Sequence, residues 1–241
     1  MTAKCSLGSE AGSIRDAELA GRRSVPRRLV LIGLACGIAV ASSALAEETT
    51  HYRLLLQIEW SAASHPHEFP PAAHFSDLVG ANHDARYVMF GDGLSASSGL
   101  ELLAENGRAS ILLAELEEAK RRNRVGASFA AEGTYTLPGS MSAEFVATKR
   151  HSRVSFVTMI APSPDWFTGL AGVDLAPGGT WIDSIELPLW AWDAGTDSGT
   201  AYTAPDVDAQ PRKSVRLLST PHVLAASGLI RLGTARLVRT R

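Results

Sequence analysis

The sequence predicts an all-β fold, an antiparallel β-sandwich with a short helical insertion. After about residue 50, most of the chain alternates apolar and polar residues with the period of two that is typical of strands, between turns rich in Gly and Pro. One early stretch changes to a helical period. Because no internal repeat, low-complexity tract or linker divides the chain, we expect one domain.

A secretory leader is predicted to precede this domain. Four arginines at positions 22–28 are followed by an apolar run from Leu29 to about Ala44 and by the small-x-small cleavage site Ala44-Leu45-Ala46. The run has about 16 residues, fewer than the roughly 20 that a membrane span needs. We therefore predict a signal peptide over 1–46 and a secreted or periplasmic mature domain over 47–241, without a membrane span. An uncleaved anchor is the alternative, and the export route stays open.

The predicted leader also contains residues whose removal changes the net charge and the cysteine content of the mature chain. It contains both cysteines, Cys5 and Cys36, so the mature domain has no disulfide. It contains 6 of the 23 Lys and Arg and 3 of the 25 Asp and Glu, which leaves the mature domain with a formal net charge of −5. Because the remaining basic residues are scattered, a surface that follows nucleic-acid phosphates is excluded, and we expect no nucleic-acid partner.

Local patterns predict the first half of the domain. Thr50–Glu59 alternates as a strand, and Ser64–Ala73, with three prolines and two histidines, is a loop. Tyr87–Phe90 predicts a short strand that a Gly-Asp-Gly turn ends. Two helices follow, because Ser98 and Ser110 are suitable N-caps for apolar-periodic segments.

The ends of these helices and the remaining strands follow from the same rules. Gly107 is predicted to stop the first helix, and the second runs to a charged end at Arg124. Residues beyond Arg231 are a last strand or a frayed tail. The period-two segments that predict the other strands are Ala127–Ala131, Met141–Lys149, Val154–Ile160, Trp181–Leu189 and Ser214–Leu218.

Three aspartates are the candidate functional residues. Asp165 follows Pro162-Ser163-Pro164, and Asp193 and Asp197 lie in a second run with Gly at 195 and 199, so all three occupy irregular turns. Carboxylates on loops are the hard oxygen ligands that Ca²⁺ prefers, with backbone carbonyls and water completing its coordination. We therefore predict a calcium site. The alternative is that the aspartates only form turns.

A set of ordered motifs resembles the spondin N-terminal domain family, a module of extracellular matrix proteins and of stand-alone bacterial secreted proteins. The resemblance is strongest over 52–205. The residues that carry it are Ile58–Ser61, His65-Pro66, Phe69-Pro70, His74–Ser76, Gly80-Ala81, His83, Ala96–Leu100, Leu103–Gly107, Pro162–Phe167, Gly169 and Trp192–Gly199.

This resemblance implies a sandwich similar to C2 domains and a calcium ion bound by carboxylates that match Asp165, Asp193 and Asp197. It also implies a role in adhesion or surface recognition without catalysis, the partner being an unknown protein or a cell-surface or glycan ligand. The absence of cysteine after the leader departs from the animal members of the family, which are disulfide-bonded.

Three other motifs allow competing interpretations. Asp197-Ser198-Gly199-Thr200 matches a short aspartic-protease signature, although that mechanism needs two carboxylates that share a proton. The four histidines His65, His67, His74 and His83 suggest a zinc or copper site, or surface-loop and buried hydrogen-bonding roles. Trp166 and Phe167 form either an exposed recognition tip or a buried plug, and the plug is favoured because large aromatic residues are mostly buried.

The leader generates the first prediction. We expect the exported protein to begin at Glu47, because the small residues of Ala44-Leu45-Ala46 suit signal peptidase. Intact-mass spectrometry of exported protein measures this directly. A mass that retains the leader contradicts cleavage.

Overall fold

The computed structural model describes residues 47–241, so the predicted signal peptide, Cys5 and Cys36 lie outside the described residues. The helices are α1 (Ser98–Asn106) and α2 (Ser110–Arg121), and short 3₁₀ segments span Pro177–Gly179 and Pro221–Val223. The strands are β1 (Thr49–Ile58), β2 (His74–Phe75), β3 (Leu78–His83), β4 (Val125–Ala131), β5 (Gly139–Thr148), β6 (Arg153–Ala161), β7 (Trp166–Asp174), β8 (Ser184–Leu189), β9 (Ala191–Asp193), β10 (Arg216–Leu217), β11 (Leu224–Ala225), β12 (Gly228–Leu229) and β13 (Gly233–Arg239).

Two antiparallel sheets form the sandwich. The smaller sheet has the strand order β5-β1-β13-β8, and the larger has the order β10-β9-β7-β6-β3-β4, with β2 also paired to β6. The helices lie between β3 and β4 in the chain. The predicted all-β sandwich with a short helical insertion is therefore confirmed. Within residues 47–241, no helix is both long enough and apolar enough to cross a membrane.

The main core lies between the two sheets. As its alternation predicts, β1 buries Tyr52, Leu54 and Leu56 on one face. These side chains share a cluster with Phe156 of β6 and Leu237 of β13. The alternating strands therefore supply the apolar surface whose burial stabilises the sandwich.

A second core covers the outer face of the larger sheet. In β6, Phe156 faces the main core, whereas Val157 and Met159 pack in a second cluster that includes Leu100 and Leu103 of α1. A strand covered on both faces reads as a continuous apolar run instead of an alternation. The helical insertion is therefore a third layer that shields this sheet from water.

The helix boundaries agree with the sequence in part. Gly107 ends α1 in the left-handed conformation (φ 68°), as predicted, because Gly adopts positive φ without strain. The N-cap of α1 is Ser97, not Ser98, and its side chain accepts a hydrogen bond from the backbone N–H of Leu100. Ser110 is the first residue of α2 and makes no capping bond, which corrects the second predicted cap.

One predicted strand is wrong, and the prediction omits β3 and β7. Tyr87–Phe90 is not a strand. Its last two residues, Met89 and Phe90, are buried without strand pairing, and Phe90 packs edge-on against Phe167 and Trp192. Strand β7 was not predicted, because two prolines precede it and glycines at 169 and 172 interrupt its pattern.

The close contact of the two helices generates a stability prediction. A Cβ atom added to Gly99 of α1 would lie 2.5 Å from the Cα atom of Leu112 in α2. Gly99→Ala gains about 1 kcal/mol of helix propensity, but overpacking costs about 1–3 kcal/mol. We expect net destabilisation in urea unfolding measurements.

The exposed variant Ser110→Ala is the control, and its free energy of unfolding should change by less than about 0.5 kcal/mol. A Gly99→Ala protein more stable than the wild type would show that the helices do not pack this closely.

Candidate functional site

Strand pairing brings the three predicted aspartates to one end of the larger sheet. Asp165 immediately precedes β7 and Asp193 ends β9, and Trp166 lies opposite Asp193 in their antiparallel register. The backbone N–H of Ala194 donates to the carbonyl of Asp165 at 3.2 Å. Asp197 follows in the loop after β9. All three side chains are buried, so their charges lie at low dielectric.

Asp165 is the most enclosed of the three, with 1% of its surface exposed. Its Oδ2 accepts backbone N–H groups of Thr196 at 2.7 Å and of Asp197 at 3.1 Å. Burial raises the pKa of Asp165, the Asp193 charge raises it further, and the backbone hydrogen bonds oppose this rise. The Asp165 side chain therefore connects the loop before β7 to the loop after β9, although the burial of its negative charge is unfavourable.

Asp193 and Asp197 organise the second loop. Asp193 Oδ1 accepts the backbone N–H of Gly195 at 2.8 Å, and its Oδ2 lies 2.8 Å from Nη2 of Arg216. Asp197 accepts backbone N–H groups from Gly199 at 2.5 Å and from Val207 at 2.7 Å. Each aspartate therefore shapes a turn. An oxygen that accepts one hydrogen bond still has a lone pair for a cation.

A fourth carboxylate, which the sequence did not identify, lies close by. Burial raises the pKa of Glu105 at the end of α1, and the charges of Asp206 and Asp165 act in the same direction. Its buried Oε1 has no hydrogen-bond partner among residues 47–241. Four acidic side chains, those of the three aspartates and of Glu105, thus lie near the same end of the larger sheet. Arg216 is the cationic residue that contacts one of the three aspartates.

The donor set is suited to a hard cation, but its spacing is wide. Within residues 47–241, the one set of three His, Cys, Asp or Glu residues whose ligand atoms all lie within 4.8 Å of each other is His67, Glu68 and His222. Oxygens around one Ca²⁺ lie within about 5 Å of each other. Direct ligation of one ion by all three aspartates would therefore require their side chains to rotate towards it, and bridging water is the other possible arrangement.

The histidines that the sequence grouped do not form one cluster. His65 is buried beside Ser64, and His83 contacts the carbonyl of Asp84 and the hydroxyl of Ser155. Burial lowers the pKa of both imidazoles. His74 contacts a local carbonyl and stacks on Tyr135, so only His67 of the predicted group enters the compact set.

Trp166 and Phe167 are fully buried, which confirms the plug and excludes the exposed tip. The Trp166 ring packs against Tyr202 at 5.1 Å and His222 at 5.2 Å. Phe167 faces the opposite side, towards Phe90. The two aromatic residues anchor the start of β7 and thereby fix the position of the neighbouring Asp165.

The protease interpretation receives no geometric support among the described residues. Asp197 is 5% exposed, and both of its carboxylate oxygens accept backbone N–H groups. An aspartic protease needs accessible carboxylates that share a proton. The signature at Asp197 is accounted for by the turn that it forms.

Comparison with known proteins gives consistent matches. The Spondin_N family model matches residues 50–226. Spondin-2 of Rattus norvegicus is 36% identical over 193 residues, which cover 78% of this chain and 58% of that protein. Spondin-2 of Homo sapiens is 38% identical over 68% of this chain and 51% of that protein. Spondin-1 of Gallus gallus is 33% identical over 71% of this chain and 22% of that protein. The chain thus spans between a fifth and three fifths of these relatives.

The raised pKa of Asp165 generates a pH prediction for calcium-free protein. The folded state holds this proton more tightly than the unfolded chain, so ionisation of Asp165 costs stability as pH rises above roughly 4. Asp165→Asn carries no such charge. We expect its stability relative to the wild type to increase from pH 4 to pH 7.

Urea unfolding of both proteins, stripped of calcium, measures this difference. Asp77→Asn is the matched control, because Asp77 is exposed and also accepts a backbone N–H group, from Gly133. A difference that is flat with pH, or that falls as pH rises, contradicts the charge balance described for Asp165.

Proposed function

The chain belongs to the spondin N-terminal domain family, and from this premise we propose that it is a secreted or periplasmic calcium-binding module that acts in adhesion or surface recognition. The proposed calcium ligands are Asp165, Asp193 and Asp197. The proposed role is non-catalytic, and the partner is a protein or a cell-surface or glycan ligand.

The observation that carries this proposal is the excess of buried negative charge at the β7–β9 edge. The three aspartates are each less than 10% exposed, whereas Arg216, the one cationic residue of 47–241 that forms a salt bridge with them, has a side chain that is 54% exposed. A buried charge is unfavourable unless it is paired or coordinates a metal. A divalent cation would supply the missing positive charge without a further side chain.

Calcium suits this donor set better than a transition metal. The donors are hard carboxylate oxygens at the end of β9 and in the loops before β7 and after β9, and Ca²⁺ accepts six to eight oxygen ligands in flexible geometry. Backbone carbonyls and water would complete the coordination. When bound, the ion supplies charge neutralisation and connects the loop before β7 to the loop after β9.

The non-catalytic role is supported by the burial of the candidate acids. Asp165 and Asp197 are both inaccessible to a peptide substrate, and their oxygens are engaged with backbone N–H groups. Similarity to spondins does not favour a hydrolase either. The acidic balance of the chain favours protein or glycan partners over nucleic acid.

The proposal predicts that calcium stabilises the protein through these three residues. Binding to the native state alone adds about 2.7 kcal/mol when free calcium is a hundred times Kd. Asp165→Asn, Asp193→Asn and Asp197→Asn should each lose most of this increment, because each removes one of few carboxylate ligands. Thermal unfolding with calcium and with chelator measures the increment.

Asp77→Asn again serves as the control and should keep the wild-type calcium shift. Asp206 is less suitable as the position of a control substitution, since its charge acts on Glu105 beside the site. If all three variants keep the wild-type shift, the aspartates are turn formers and the site assignment is wrong.

A further inference from the structure

Two distant loops bring together a compact set of nitrogen and oxygen donors. His67 and Glu68 lie in the loop between β1 and β2, and His222 lies in the 3₁₀ segment Pro221–Val223. Their ligand atoms all lie within 4.8 Å of each other. This set is separate from the three aspartates in sequence and in donor type, because it contributes two imidazoles and one carboxylate.

His222 is held in the orientation that a metal ligand needs. The residue is 4% exposed, and its ring packs against Trp166 at 5.2 Å and Tyr202 at 4.8 Å. Its Nδ1 lies 3.1 Å from the hydroxyl of Thr220, which leaves Nε2 directed at Oε2 of Glu68, 3.1 Å away. In metal-binding histidines one ring N–H typically donates a hydrogen bond to a protein group, and the other ring nitrogen keeps its lone pair for the metal.

The two other donors approach from the solvent side. His67 and Glu68 are exposed, and the His67 ring lies edge-on to that of His222 at 4.9 Å. Because these two residues are exposed, an ion placed among the three donors would keep access to water. Glu68 has φ +51°, a left-handed conformation that is uncommon outside Gly, Asn and Asp.

We propose that His67, Glu68 and His222 bind a divalent transition metal, with zinc as the representative ion and water in the open position. Two imidazole nitrogens and one carboxylate oxygen are a known ligand set for Zn²⁺, whereas Ca²⁺ takes oxygen ligands. The ion would connect the β1–β2 loop to the Pro221–Val223 segment. It would act as a cross-link in a part of the chain, residues 47–241, that contains no cysteine.

The test is zinc titration of the full exported protein in saturating calcium. Calorimetry measures the zinc affinity, and thermal unfolding measures the stabilisation by zinc. Glu68→Gln and His67→Asn change exposed residues, so both variants should fold, and each should weaken zinc binding by at least about tenfold. His51→Asn is the matched control, since His51 is an exposed histidine of β1 outside the set. It should bind zinc as the wild type does.

Cobalt as a spectroscopic probe gives a second readout. Co²⁺ in a site with few ligands shows intense visible absorption, and that band should appear in the wild type and be lost in Glu68→Gln. Asp165→Asn should retain the zinc affinity, which separates this site from the proposed calcium site. Absence of zinc binding, or equal affinity in wild type and both variants, overturns the proposal.

Discussion

The antiparallel pairing of β7 with β9 is the constraint on which the rest of the site depends. It sets Trp166 opposite Asp193, and so places the Asp165 carboxylate beside the loop that carries Asp197. Hydrophobic burial of the strand ends drives the same carboxylates out of water. Backbone N–H groups and Arg216 offset part of this cost, and the proposed calcium ion would offset the remainder.

The start of β7 also connects the two proposed ion sites. Trp166 follows the buried Asp165 directly in the chain, and its ring packs against His222 of the histidine set. Phe167 points to the opposite core beneath the helices. One strand end therefore joins the main core, the helical layer and both donor clusters. A cation at either site would further stabilise the loops that carry its ligands.

Turns and helix ends that depend on one residue type were predictable from the sequence, whereas contacts between residues distant in the chain were not. The stop at Gly107 was predictable because a single residue type adopts its conformation. The strand predicted for Tyr87–Phe90 was wrong because the burial of Met89 and Phe90 without strand pairing gives a similar apolar pattern. The proximity of the three aspartates to turns was predictable because Gly and Pro surround them in the sequence. Arg216 and His222 were not, since only strand pairing and loop packing bring them to their partners.

Terbium luminescence is a direct test of the proposed calcium site at the β7–β9 edge, because Tb³⁺ replaces Ca²⁺ at oxygen sites and is sensitised by nearby tryptophan. Trp166 and Trp192 adjoin Asp165 and Asp193 in the chain. A calcium site formed by the three aspartates predicts sensitised emission that saturates at a single Tb³⁺ per chain, that calcium displaces, and that Asp165→Asn abolishes. Emission that is absent, that calcium does not displace, or that persists unchanged in Asp165→Asn would contradict a calcium site at the β7–β9 edge.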